Sequence, residues 1–190
     1  MCETLGLDRL LLVPAAQPPH KPLSELAPAA DRYSMTVLAA REHPRFEVSD
    51  IEVAREGTSY TVDTLVALRE RGRLHLVIGS ETFLDLLSWK EPPRVAALAR
   101  LVVIPRNGVS FDPDAPAAQK VLRELGLPGF VGPRAEPADA AAPILLHAAS
   151  LPISGSDLRR RAREGRSLAF RMPDAVAAYV RDHRLYHAEA

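Results

Sequence analysis

Leu74-His75-Leu76-Val77-Ile78-Gly79-Ser80-Glu81 is the stretch from which the fold class follows. Leu74–Ile78 is a short, largely apolar run that ends on a glycine, which suits a strand buried on both faces of a parallel sheet. Working outward, a helical pattern at Val62–Arg71 precedes it and Gly72 closes that helix. Helical patterns follow at Thr82–Leu87 and Arg94–Ala99, then a second strand at Leu101–Ile104. Towards the N-terminus, Leu10–Val13 is an apolar run stopped by Pro14, and Phe46–Val53 is a further extended segment. Between them Met35, Val37, Leu38 and Ala39 share a helical face, with Asp31 as the expected N-cap and Pro44 as the stop. Towards the C-terminus come a helix at Gln119–Leu125, a strand at Ile144–His147, and helices at Gly155–Glu164 and Pro173–His183. Asp112–Pro116 and Pro133–Pro143 are expected as loops. Strands alternating with helices predict an α/β fold, a mostly parallel sheet with helices on both faces.

The 190 residues fit a single domain, 1–190, with 150–190 as a C-terminal helical part. The formal net charge of zero argues against bulk nucleic-acid or membrane-surface binding, though not against a local phosphate site. Of the 24 basic residues only Lys21, Lys90 and Lys120 are lysine. The single cysteine, Cys2, excludes an internal disulfide and a cysteine-based zinc site. No apolar stretch approaches the ~18–20 residues of a membrane span, and the N-terminus lacks a signal-peptide pattern, so a cytoplasmic protein is expected.

In open parallel sheets ligands sit beyond the C-terminal ends of the strands, so the residues just after the strands carry the functional information. After the first strand, prolines stiffen the loop that presents His20 and Lys21, a cation pair able to hold phosphate. A solvated proline loop would satisfy the same composition. After the second extended segment, Ser59 or Thr61 could cap the helix that follows and leave N–H groups for an anion, with Tyr60 beside them. Ordinary capping is the competing reading. Gly79 lets a ligand approach the backbone at a strand end, and the Glu81 carboxylate could accept ribose hydroxyls. Trp89 is the only tryptophan, and could either pack on the core or stack on a ligand. Ser154, Gly155 and Ser156 open a helix whose N–H groups and dipole favour an anion, with Arg159 one turn on.

Taken in order, the segments LGLDRLLLVP, PPHK, DRYSM, FEVSDIEVAREGTSYTVDTL, LHLVIGSETFLDLLSWKE, LARLVVIPRNG, LPISGSDLRRRAREG and MPDAVAAYVRDHRLY resemble the bacterial nicotinate-nucleotide adenylyltransferases along nearly the whole chain. The resemblance implies a Rossmann-like nucleotidyltransferase fold and adenylyl transfer from ATP to nicotinate mononucleotide, giving deamido-NAD and pyrophosphate. It implies that Tyr60 and Thr61 hold the nicotinate carboxylate through backbone N–H groups. Trp89 would stack on the pyridine, and the Lys90 backbone would lie beside the carboxylate. It further places His20 and Lys21 in the phosphate region as the catalytic pair. Gly79 and Glu81 would bind ATP at its ribose, and Ser154, Ser156 and Arg159 at its phosphates. Mg²⁺ would arrive with ATP, without a protein metal site. ATP and nicotinate mononucleotide are thus the expected partners, and the sequence does not decide between a monomer and a homodimer.

Three departures accompany the resemblance. Glu81 stands where the family has aspartate, and ISGS at 153–156 replaces ISST or ISAT. The family's opening strand and G-x-F-D-P-x-H-x-G-H loop have no counterpart in the sequence, so the chain is expected to begin inside the helix that follows them. Met1–Leu7 should then form a helical stub, the strands at Leu10–Val13 and Leu74–Ile78 should be separated or forced together, and the chain as written should be nearly inactive. Two other readings are compatible with the residues: a related nucleotidyltransferase with another acceptor such as phosphopantetheine, and a non-catalytic nucleotide-binding remnant. Turnover of phosphopantetheine would mark the first, and ATP binding without turnover the second.

Overall fold

The computed structural model describes residues 1–18, 26–105, 111–134, 140–149 and 151–186. The chain divides into two compact units: one holds Met1, residues 3–7 and 60–151, the other Cys2, residues 8–59 and 152–190.

The first unit contains the short helix α1 (Cys2–Leu5, its first residue apart), α3 (Thr61–Leu68), β3 (His75–Gly79), α4 (Ser80–Leu84), α5 (Pro92–Leu98), β4 (Arg100–Ile104), α6 (Pro116–Glu124) and β5 (Ile144–Leu145). Its sheet has the order β3-β4-β5 and is parallel throughout, with Val77 opposite Val102 and Val102 opposite Ile144. Side chains alternate across the strands, and both faces are apolar. Leu101 and Val103 join Ile78 in the larger core, with Val62 and Leu65 of α3, Phe83, Leu86, Val95, and Ala118, Val121 and Leu122 of α6. Val102 points the other way, into a smaller cluster with Ile144 and Leu146 that Met1 and Leu5 partly cover. The apolar run without alternation thus has its explanation: β4 is buried on both faces. Phe83, Phe111 and Phe130 meet edge to face, at centroid distances of 5.1 to 6.2 Å. The helix expected to end at Gly72 is α3 extended by one 3-10 turn, Arg69–Arg71, and Gly72 takes φ 118°, which a side chain would resist.

The second unit contains β1 (Leu10–Leu12), α2 (Ala29–Ala40), β2 (Phe46–Val48), α7 (Gly155–Arg163) and α8 (Asp174–Asp182). β1 and β2 pair in parallel, with Leu11 opposite Glu47, around the crossover helix α2. β2 is shorter than expected, because turns begin at Ile51. Asp31 is not the N-cap of α2. Pro28 holds that position without a side-chain bond, and Asp31, in the first turn, accepts a hydrogen bond from the Tyr179 hydroxyl of α8 at 2.8 Å. Tyr179 also stacks on His183 at 3.8 Å.

Among the described residues β1 belongs to the two-stranded sheet of the second unit and β3 to the three-stranded sheet of the first. The expected helical segment at the start of the chain is α1. Among the described residues no helix is long and apolar enough to cross a membrane.

Candidate active site

In the first unit three peptide segments carry the residues singled out by sequence. Tyr60 is the N-cap of α3, extended at φ −108° and ψ 134°, with no side-chain cap bond. The Tyr60 carbonyl accepts from the Asp63 N–H at 3.1 Å, while the N–H groups of Thr61 and Val62 have no acceptor within the helix. Those two groups, at the positive end of the helix dipole, are what a carboxylate needs.

Gly79 ends β3 and Ser80-Glu81 opens α4, with Glu81 exposed in the first turn. Ser80 is 1% exposed and its Oγ has no hydrogen-bond partner among the described residues. Phe83 and Leu86, both fully buried, anchor the segment that leads to Trp89. A 3-10 turn, Leu86–Ser88, ends there, closed by the Trp89 N–H to the Leu86 carbonyl at 3.1 Å. Trp89 packs against the large core yet keeps part of its surface open. Lys90 is exposed. Its ammonium pairs with both carboxylate oxygens of Asp63, at 3.0 and 3.3 Å, and lies 4.8 Å from the centroid of the Tyr60 ring. Glu91 follows in the left-handed region at φ 51° and pairs with Arg94 at 2.9 Å.

The second unit carries the remaining predicted residues. His20 and Lys21 lie outside the described residues. On either side of them in the sequence, one Arg32 guanidinium donates to the carbonyls of Ala15, Ala16 and Ala27, the last two at 2.8 and 3.0 Å. Ser59 does not cap α3. Buried, it accepts from the Ala16 N–H at 3.2 Å through Oγ and donates its own N–H to the Gln17 carbonyl at 3.1 Å.

At α7, Ser154 is the N-cap and its Oγ accepts from the Asp157 N–H at 3.1 Å, with the Ser156 Oγ also 3.1 Å away. A Cβ at Gly155 would stand 3.2 Å from an Arg159 guanidinium nitrogen, so Arg159 folds back over the first turn of its own helix. An anion at this end would meet Arg159, two serine hydroxyls and the helix dipole. Asp157 would oppose it: a hydrogen bond from Arg160 holds its carboxyl below the usual carboxylate range and so ionised, and its charge is offset by Arg160 and by Arg171 at 3.8 Å. Burial pushes the Tyr186 hydroxyl up, against the opposing charges of Arg159 and Arg32. Among the described residues no three His, Cys, Asp or Glu side chains gather as a metal site.

Sequence reasoning missed Asp63, Arg32 and the restraint on Asp157. An aspartate in a first helical turn has a sufficient local explanation in the dipole, and nothing local announces a partner 27 residues away. The DRYSM segment marked the neighbourhood of Arg32 but not its three carbonyl partners.

The chain matches the model of the cytidylyltransferase-like family over residues 1–161. It is 39% identical over 184 residues to a "probable nicotinate-nucleotide adenylyltransferase" of a Roseiflexus species, covering 96% of this chain and 84% of that protein. A protein of the same description from Thermus thermophilus is 39% identical over 187 residues, covering 97% and 86%. In fold the chain is similar to the Plasmodium falciparum nicotinic acid mononucleotide adenylyltransferase complexed with NaAD, with a TM-score of 0.67 at 16% identity over 95% of this chain and 83% of that one. The fold is therefore the Rossmann-like nucleotidyltransferase α/β fold expected from the sequence, and the chain belongs to the nicotinate-nucleotide adenylyltransferases within the cytidylyltransferase-like family.

Proposed function

We infer that this chain, against the near-inactivity expected from its sequence, transfers the adenylyl group of ATP to nicotinate mononucleotide, giving deamido-NAD and pyrophosphate in NAD biosynthesis. A phosphate oxygen of the mononucleotide attacks the α-phosphorus of ATP. The bond from that phosphorus to the bridging oxygen of the β-phosphate breaks, and pyrophosphate leaves with the electron pair. Such chemistry asks a protein mainly to position two anionic reactants and to neutralise charge.

The observation that carries the reading is the α3 N-terminus, whose Thr61 and Val62 N–H groups have no acceptor within the helix, in the same unit as the part-open Trp89 ring. Donors without acceptor capacity suit a carboxylate, and an aromatic face suits a pyridine. In this reading Tyr60, Thr61 and the Lys90 backbone take the nicotinate carboxylate and Trp89 takes the ring. Gly79 and Glu81 serve the ATP ribose. Ser154, Ser156 and Arg159 serve its phosphates, together with His20 and Lys21. Mg²⁺ enters as part of the MgATP substrate.

The test is acceptor choice. With MgATP, product formation should follow nicotinate mononucleotide first, nicotinamide mononucleotide well behind it, and phosphopantetheine not at all. Equal kcat/KM for acid and amide would remove the carboxylate role of the α3 N-terminus. Adenylylation of phosphopantetheine in place of the mononucleotide would replace the reading altogether.

A further inference from the structure

We propose that Asp63 is a positioning residue for the pyridine end of the acceptor, acting through Lys90. The inference rests on the acceptor reading given above and assigns a task to a side chain which that reading leaves unused.

The Lys90 ammonium is held from two sides, by the Asp63 carboxylate at 3.0 and 3.3 Å and by the face of the Tyr60 ring at 4.8 Å. The bridge joins the first turn of α3 to the turn between Ser88 and α5. Tyr60 and Trp89, the residues flanking it, both pack against the same core. An unpaired lysine side chain spreads over many rotamers. Here one carboxylate fixes it, and with it the spacing of two backbone segments whose N–H groups would share one substrate carboxylate. The turn needs such a restraint, since Glu91 adopts a left-handed conformation that costs a non-glycine residue energy.

The pair is half-exposed, at 42% and 40% for the two side chains. Exposed pairs contribute little to global stability. The task of Asp63 is therefore local order at this turn rather than holding the fold. That distinction makes the proposal testable.

Trp89, the only tryptophan, reports on this surface by its fluorescence without any need for turnover. Titration of the full chain with nicotinate mononucleotide should show affinity about three- to tenfold weaker in Asp63→Asn and in Lys90→Met, the range a fixed ion pair with a cation–π contact accounts for. The double variant should lose no more than the worse single one, because both changes break one tether. Asp63→Glu should recover most of the loss. Affinity for ATP should not change, and Tm should stay within about 2 °C of the parent. Unchanged affinity in either single variant, additive losses in the double, or tighter binding in Asp63→Asn would overturn the proposal. Absence of any saturable fluorescence change in the unmodified chain would overturn the acceptor reading and this proposal with it. Normal binding by the parent alongside unaffected variants would overturn the tether alone.

Discussion

Val102 and Leu11 both stand at the centre of short parallel strands made of aliphatic residues, yet their surroundings differ. Val102 is 0% exposed and has a strand on either side, β3 and β5. Leu11 is only half-buried, like both its neighbours in β1, which has one ladder partner, β2. In β2 opposite, Phe46 is exposed and Glu47 faces Leu11 in the register. The difference teaches that an apolar run specifies a strand, whereas its burial depends on how many neighbours that strand acquires. It also separates the two halves of the proposed chemistry. The residues assigned to the pyridine sit on segments anchored by the dense core of the first unit, through Phe83 and Leu86. Among the described residues, those assigned to ATP phosphates sit at and on α7, whose only buried residue is Ala162.

The two units should differ most in stability. Phe83→Ala removes a fully buried ring that touches Phe111 and Phe130 and should cost about 3–5 kcal/mol. Leu11→Ala, at a half-buried site, should cost about 1–2 kcal/mol. Denaturant titration of both variants measures the difference. Equal losses would mean that the two units do not differ in packing as their burial indicates.

Ligand selectivity separates the two units next. Trp89→Ala should raise the KM for nicotinate mononucleotide about 5- to 150-fold, corresponding to ~1–3 kcal/mol of stacking, and leave the KM for ATP nearly unchanged. A folded variant with an unaltered KM would return Trp89 to a packing role alone. The converse belongs to α7. Arg159→Ala and Ser156→Ala should each raise the KM for ATP, Arg159 by more, since charge-assisted bonds are about twice as strong as neutral ones. Normal ATP kinetics in both, with only a lowered Tm, would make α7 purely structural.

Much of the architecture was legible because its signals are local. Glycine after α3, prolines after β1 and the periodicities at Gln119–Leu125 and Pro173–His183 all mark features that the structure contains. Of the proposed site, the capping role of Ser154 follows from the same kind of signal. Ser59 and Asp31 misled for the complementary reason. Each stands near the start of a helix, where its residue type caps well, but a distant partner takes its oxygen instead: Ala16 for Ser59 and Tyr179 for Asp31. The Asp63–Lys90 pair was invisible for want of any local mark at all.

The smallest expected effect is a pH dependence of the first unit. Burial, then the charges of Arg100 and Arg73, hold His75 below its ordinary value of ~6.5 in the folded chain. The unfolded chain binds the proton more readily. Stability is therefore fully present above about pH 6.5 and declines as pH falls from there towards the lower folded value. His75→Gln should flatten the slope of stability between pH 7 and pH 5. An unchanged slope would show that other groups cause it.

The most direct measurement of the central claim follows the label in ATP. With the α-phosphorus labelled and nicotinate mononucleotide present, the account predicts that the label appears in deamido-NAD, while label placed at the γ-phosphorus leaves as pyrophosphate. Transfer of the γ-label to the mononucleotide, or release of the α-label only as AMP with no dinucleotide formed, would contradict it.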